Sequence, residues 1–140
     1  MYIFNNKYSY RDLGLLFLRV GIGLMFVFHG LPKIMGGAEK WAEVGAAMQF
    51  LGIHQYYEMW GYMAAFAEFG GGILLIFGML HRFVCFLLLC TMVVASTKQL
   101  AGGSGILGAS HPIEVAILFL SLLLIGPGKF SFDQLLFSRN

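Results

Sequence analysis

Six side chains able to exchange protons or carry charge stand in segments that are otherwise apolar: Arg19, His29, Lys33, Glu68, His111 and Glu114. In hydrocarbon such groups persist only when paired, watered or turned towards other protein. Glu68 must either meet a cation or stay protonated. Arg19, roughly 9 Å inside its own apolar segment at 1.5 Å of rise per helical residue, is the partner the sequence suggests. Otherwise Arg19 extends its stem to the headgroups. His29 either bonds a carbonyl or serves a ligand, and Lys33 lies one helical turn further on, on the same face. His111 and Glu114 have the i, i+3 spacing at which a carboxylate tunes an imidazole. They also fit a helix start, with His111 as cap, Pro112 at the first position and Glu114 as the third-position acid. His29 and Glu68 are the candidate catalytic residues, and the six together form one candidate binding pocket.

Other chemistries lack their residues. No G-x-x-x-x-G-K-[ST] is present and no G-x-G-x-x-G follows a strand, so those routes to nucleotide binding have no support. No H-x-x-x-H or E-x-x-H pair accompanies His29, Glu68, His111 and Glu114, and no metal site is expected. Cys85 and Cys90 are five apart, roughly 140° around a helix, which suits packing better than pairing. A net charge of +2 with no basic run gives nucleic acid nothing to bind.

The elements that must position the six residues read as membrane helices. Of the 140 residues, 59% are hydrophobic and 11% charged, with a mean hydropathy of +0.78; a soluble domain carries about 25% charge. The expected fold is all-α: a single polytopic membrane domain over residues 1–140, with four transmembrane helices at about 13–35, 60–79, 83–99 and 112–125. The first is too long for the apolar core of a signal peptide, and further spans follow it. Gly14, Gly21, Gly23 and Gly30 within it would let a neighbouring helix come close. Residues 38–50 are too polar to span and read as a short interfacial helix, with Trp41, Tyr56, Tyr57 and Trp60 at headgroup level. Gly126-Pro127-Gly128 ends the fourth span, and Ser131 with Gln134 forms a capping box opening a short amphipathic tail helix. Four spans put both termini on one side with Lys7, Arg11, Arg82, Lys129 and Arg139, against Lys33, Lys40 and Lys98 opposite. By the positive-inside rule both termini are cytoplasmic. His29, Lys33, Glu68, His111, Glu114 and Lys98 then lean towards one cavity in the outer half.

These residues resemble the DoxX family of small bacterial membrane proteins, within the DoxD-like group. Leu18-Arg19-Val20-Gly21 through Phe28-His29-Gly30-Leu31-Pro32-Lys33 is similar to the family's first-helix signature. Glu68, Gly71-Gly72, Leu74, Gly78 and Arg82 resemble its second motif. Glu114 and Gly126-Pro127-Gly128…Ser131…Asp133 resemble its last. The resemblance implies a four-helix protein of the bacterial inner membrane. It also implies a family whose members are labelled oxidoreductases, one branch serving as the membrane subunit of a thiosulfate:quinone oxidoreductase. The C-x-x-C used by disulfide-handling four-helix proteins is missing.

Two functions follow as expectations. In one, the chain is a redox-associated subunit that takes a quinone, with a soluble redox partner or a second copy. Phe26, Phe28, Phe66 and Phe69 form the slot, His29 donates to a carbonyl oxygen and Glu68 relays the proton. In the other, it is a non-catalytic binding, scaffold or transport module holding a lipid or small metabolite.

Overall fold

The computed structural model describes residues 10–137, and these form helices joined by short turns and loops, with no strand among them. Four long helices form the body: α1 (Arg11–Met35), α3 (Tyr57–Phe77), α4 (His81–Ala101) and α6 (Ser110–Ile125). The connection after α1 holds α2 (Gly37–Gly45) and a 3-10 turn (Ala46–Leu51); a single turn, α5 (Gly105–Gly108), precedes α6, and α7 (Phe132–Phe137) closes the tail. α1, α3 and α4 are each long and apolar enough to cross a membrane, whereas α6, at 16 residues, is shorter. Sixteen residues rise about 24 Å, less than the roughly 30 Å of a hydrocarbon core. Lys7 and Arg139, used in the charge comparison, lie outside the described residues, as does most of the polar lead-in.

The surface is the inverse of a soluble domain's. Large apolar side chains face outwards on all sides, among them Phe17, Phe28 and Leu124, while Arg19, Glu68 and His81 are buried. Water would penalise that arrangement and lipid does not. Between lipid-facing helices the driving force is close packing, and the core is correspondingly slim: Phe26, Leu75, Leu88, Phe119 and Leu122 at its centre. Phe26 of α1 meets Phe119 of α6 edge-on at 5.0 Å between centroids, a geometry worth about 0.5–1.5 kcal/mol beyond area burial.

Glycine decides how α1 meets α3. A Cβ on Gly23 would stand 2.7 Å from the Gly72 carbonyl oxygen, and one on Gly30 would enter the Phe69 backbone. Gly14 and Gly21, grouped with them by sequence, touch nothing and face outwards. The antiparallel register continues past the end of α1: Gly61 lies against the Trp41 backbone and Gly45 against that of Tyr57. The helix expected over residues 38–50 is therefore present as α2 and the 3-10 turn, and it is docked along the first turns of α3. Gly37, with φ of 73°, makes the break between α1 and α2.

The end where α3 turns into α4 is closed by the tail. Gly78 (φ 66°) and Leu80 (φ 47°) form the turn. Asp133 accepts from the backbone N–H of Leu80 and of His81, each at 2.8 Å, and so caps α4. Ser131 Oγ accepts from Gln134 N at 3.2 Å, the capping expected of that pair. Lys129 N donates to Asp12 Oδ1 at 3.0 Å, tying the tail to the first turn of α1. The described ends of the chain thus meet at one end of the bundle.

Candidate functional site

Glu68 is 3% exposed, and its partner is Lys33: Nζ donates to Oε2 at 2.5 Å. The close approach at Gly30 and Phe69 brings the antiparallel α1 and α3 near enough for this pair to form, three residues further along α1 and one residue back along α3. Trp41 Nε1 donates to the Lys33 carbonyl at 3.0 Å, so the last turn of α1 is held by α2 as well as by the ion pair. Lys33 also lies in that last turn, where the helix carbonyls favour a cation.

Arg19 does not pair with Glu68. Its guanidinium donates to the Phe130 carbonyl and packs against Gly78, where a Cβ would collide with it. Gly78 is ten residues from Glu68 on α3, about 15 Å of helical rise. The expectation failed because depth was counted from α1's own start, whereas α1 overhangs the α3–α4 turn by two helical turns. Arg19 is fully buried there, with Nε and Nη1 lacking partners among the described residues. It joins the tail to the turn rather than lining a pocket.

The Lys33–Glu68 pair borders a cavity of about 460 Å³ between α2, the 3-10 turn, α3 and α4, within the range typical of small-molecule sites. Met48, Trp60, Met63 and Val94 supply apolar wall, with Cys90 and Thr91 beside them. Lys40, Glu43 and Lys98 also contribute to the lining. Lys40 Nζ bonds Glu43 Oε2 at 2.8 Å, and this bond lowers the Glu43 pKa from its ordinary value.

Of the six predicted site residues, the cavity takes in Lys33 and Glu68. His29, His111 and Glu114 are exposed on the outer faces of α1 and α6. α6 begins at Ser110, so Glu114 falls in the second turn and not at the third-position acid site. His29 meets the edge of Phe26 at 6.4 Å between centroids. The expected phenylalanine slot is also absent from the cavity: Phe28 and Phe66 point outwards and Phe26 is in the core. Methionine, valine and Trp60 line the space instead.

Two functional-looking residues escaped the sequence. His81 is fully buried, and Nε2 donates to the Leu122 carbonyl at 3.1 Å, binding α4 to α6. Cys85, one turn along α4, approaches that same nitrogen at 3.6 Å. Asp133 was visible only as a motif residue, and nothing in its spacing announced a cap for a helix fifty residues earlier.

The motif residues now have structural places: Gly30 and Gly72 at the α1–α3 crossing, Lys33 with Glu68, Gly78 under Arg19, and Ser131 and Asp133 as caps. The DoxX family model matches residues 14–98. The chain belongs to the DoxX family. It is similar to the inner membrane protein YqjF of Escherichia coli, with 29% identity over 137 residues, 90% of this chain and 94% of that protein. A second relative is named Putative oxidoreductase CatD, from Bacillus subtilis, with 33% identity over 84 residues, 60% of this chain and 58% of that protein. No solved structure matches the chain.

Proposed function

We propose that this DoxX protein is a four-span protein of the bacterial inner membrane, with cytoplasmic termini, whose Lys33–Glu68 cavity binds a quinone-type ligand as part of a redox-associated assembly. One observation carries the reading: an ion pair of a buried carboxylate and a partly buried ammonium borders an otherwise largely apolar cavity of ring-ligand size. In this account Lys33 Nζ donates to a ligand carbonyl oxygen, the role assigned to His29 on sequence alone, and as the ring is reduced Glu68 relays a solvent proton to Lys33 to replace the one the oxygen takes up. Electrons come from a partner protein. The location agrees with the name of the E. coli relative and the redox role with that of the B. subtilis relative. The orientation is supported by the sequence count of five cations on the side of the termini, Lys7, Arg11, Arg82, Lys129 and Arg139, against Lys33, Lys40 and Lys98 on the other.

A second reading rests on the same ion pair. Lys33–Glu68 locks α1 to α3, which is a sufficient structural role for a non-catalytic binding or scaffold module. Native mass spectrometry of the detergent-extracted protein separates the two. The quinone reading expects an adduct of quinone mass that Glu68→Gln removes. A lipid adduct unaffected by Glu68→Gln, or none, would leave the scaffold reading standing. The same spectrum reports the number of chains.

A further inference from the structure

A second recess lies at the opposite end of the bundle, with a volume of about 480 Å³. Arg11 and Asp12 of α1, Arg82 of α4, the Gly126–Lys129 loop and Gln134 of α7 frame it. Its three cations come from positions far apart in the chain and meet only through the fold. Asp12 is its lone carboxylate, so the recess carries a formal charge of +2. Asp12 is already committed, accepting from Lys129 N at 3.0 Å with Oδ2 4.0 Å from Lys129 Nζ. Asp133, nearby on α7, spends both oxygens on the α4 cap. Arg11 and Arg82 therefore have no ion-pair partner among the described residues.

Two guanidinium forks with no ion-pair partner among the described residues favour a planar or tetrahedral oxyanion over a halide or a neutral group. The flanks narrow the choice further. Ile125 of α6, in the recess lining, is exposed, and Phe130, Leu135 and Phe137 are exposed along the tail. A soluble anion gains nothing from these apolar surfaces, whereas acyl chains do. Basic recesses at the ends of membrane helices suit anionic lipid headgroups. We propose that Arg11 and Arg82, with Lys129 beside them, hold the phosphate of an anionic phospholipid, whose acyl chains lie along the end of α6 and the tail helix. The lipid thereby bridges the first helix, the α3–α4 turn and the C-terminal segment. This site is independent of the ligand in the Lys33–Glu68 cavity.

The test is native mass spectrometry of the full chain, delipidated in a neutral detergent and titrated with phosphatidylglycerol. Phosphatidylcholine of the same acyl length is the zwitterionic control, and glycerol phosphate supplies the phosphate without chains. Wild-type protein is expected to retain phosphatidylglycerol under activation that strips phosphatidylcholine. Arg11→Gln with Arg82→Gln should weaken that retention about tenfold or more. His111→Ala, exposed at the start of α6 and far from the recess, should leave it unchanged. Arg82→Gln alone, expected to weaken retention several-fold, serves if the double variant misfolds. Equal retention of the two lipids, equal retention by wild type and the arginine variants, or binding of glycerol phosphate without the lipid would each overturn the proposal.

Discussion

Glu68 shows what a sequence can and cannot say about one residue. Its chemistry was legible: a carboxylate in an apolar helix had to meet a cation or stay protonated, and it meets Lys33. Its partner was not, because choosing between Arg19 and Lys33 required the vertical offset of α1 against α3, which composition does not encode. The offset makes a sharp prediction. Lys33→Met leaves a buried carboxylate and should cost about 3 kcal/mol, the low end for breaking a buried pair, since the Lys33 side chain keeps 30% exposure. Lys33→Met and Glu68→Gln together should cost clearly less than the sum of the two singles in chemical denaturation in detergent. Arg19→Met and Glu68→Gln, about 15 Å apart along the bundle, should add. Additivity in the first cycle or coupling in the second would reverse the assignment of partners.

At the scale of the helix, hydropathy and capping found the elements nearly to the residue. The predicted spans begin and end within three residues of α1, α3, α4 and α6. Glycine content showed that close packing was needed but not which glycines supply it, because that depends on the face each helix turns inwards. Gly30→Ala should destabilise by about 1–3 kcal/mol, since its Cβ would meet backbone that cannot yield. Gly21→Ala, facing outwards with free space, should be neutral or stabilising by up to about 1 kcal/mol; thermal unfolding of the two variants side by side distinguishes them. The tail carries a cap in trans for α4, so Asp133→Ala should cost about 1–2 kcal/mol. Proteolysis should then start in the turn at residues 78–80, and an unchanged digestion pattern would deny the tail that role.

Over the whole molecule, polar chemistry collects at the two ends and divides differently from the single outer cavity expected. One end joins Arg19, His81, Asp133 and the basic recess into a closure of helix turns. The other places Lys33 and Glu68 beside a cavity roofed by α2 and the 3-10 turn. His29, His111 and Glu114 lie outside both, on faces whose lateral orientation the sequence left undetermined. The DoxX motifs accordingly serve both ends: Arg19, Gly78 and the G-P-G…S…D tail build the closure, and Lys33 with Glu68 marks the cavity. Trp60 in the cavity wall reports on a quinone-type ligand bound beside Lys33 and Glu68, with Trp41 the only other tryptophan in the chain. Titrating the purified protein with a short-chain benzoquinone should quench tryptophan fluorescence saturably. Binding should be about tenfold or more weaker in Lys33→Met, the loss of one charge-assisted hydrogen bond, and unchanged in His29→Ala. Absence of saturable quenching, or loss of binding in His29→Ala while Lys33→Met binds as wild type, would contradict the quinone reading.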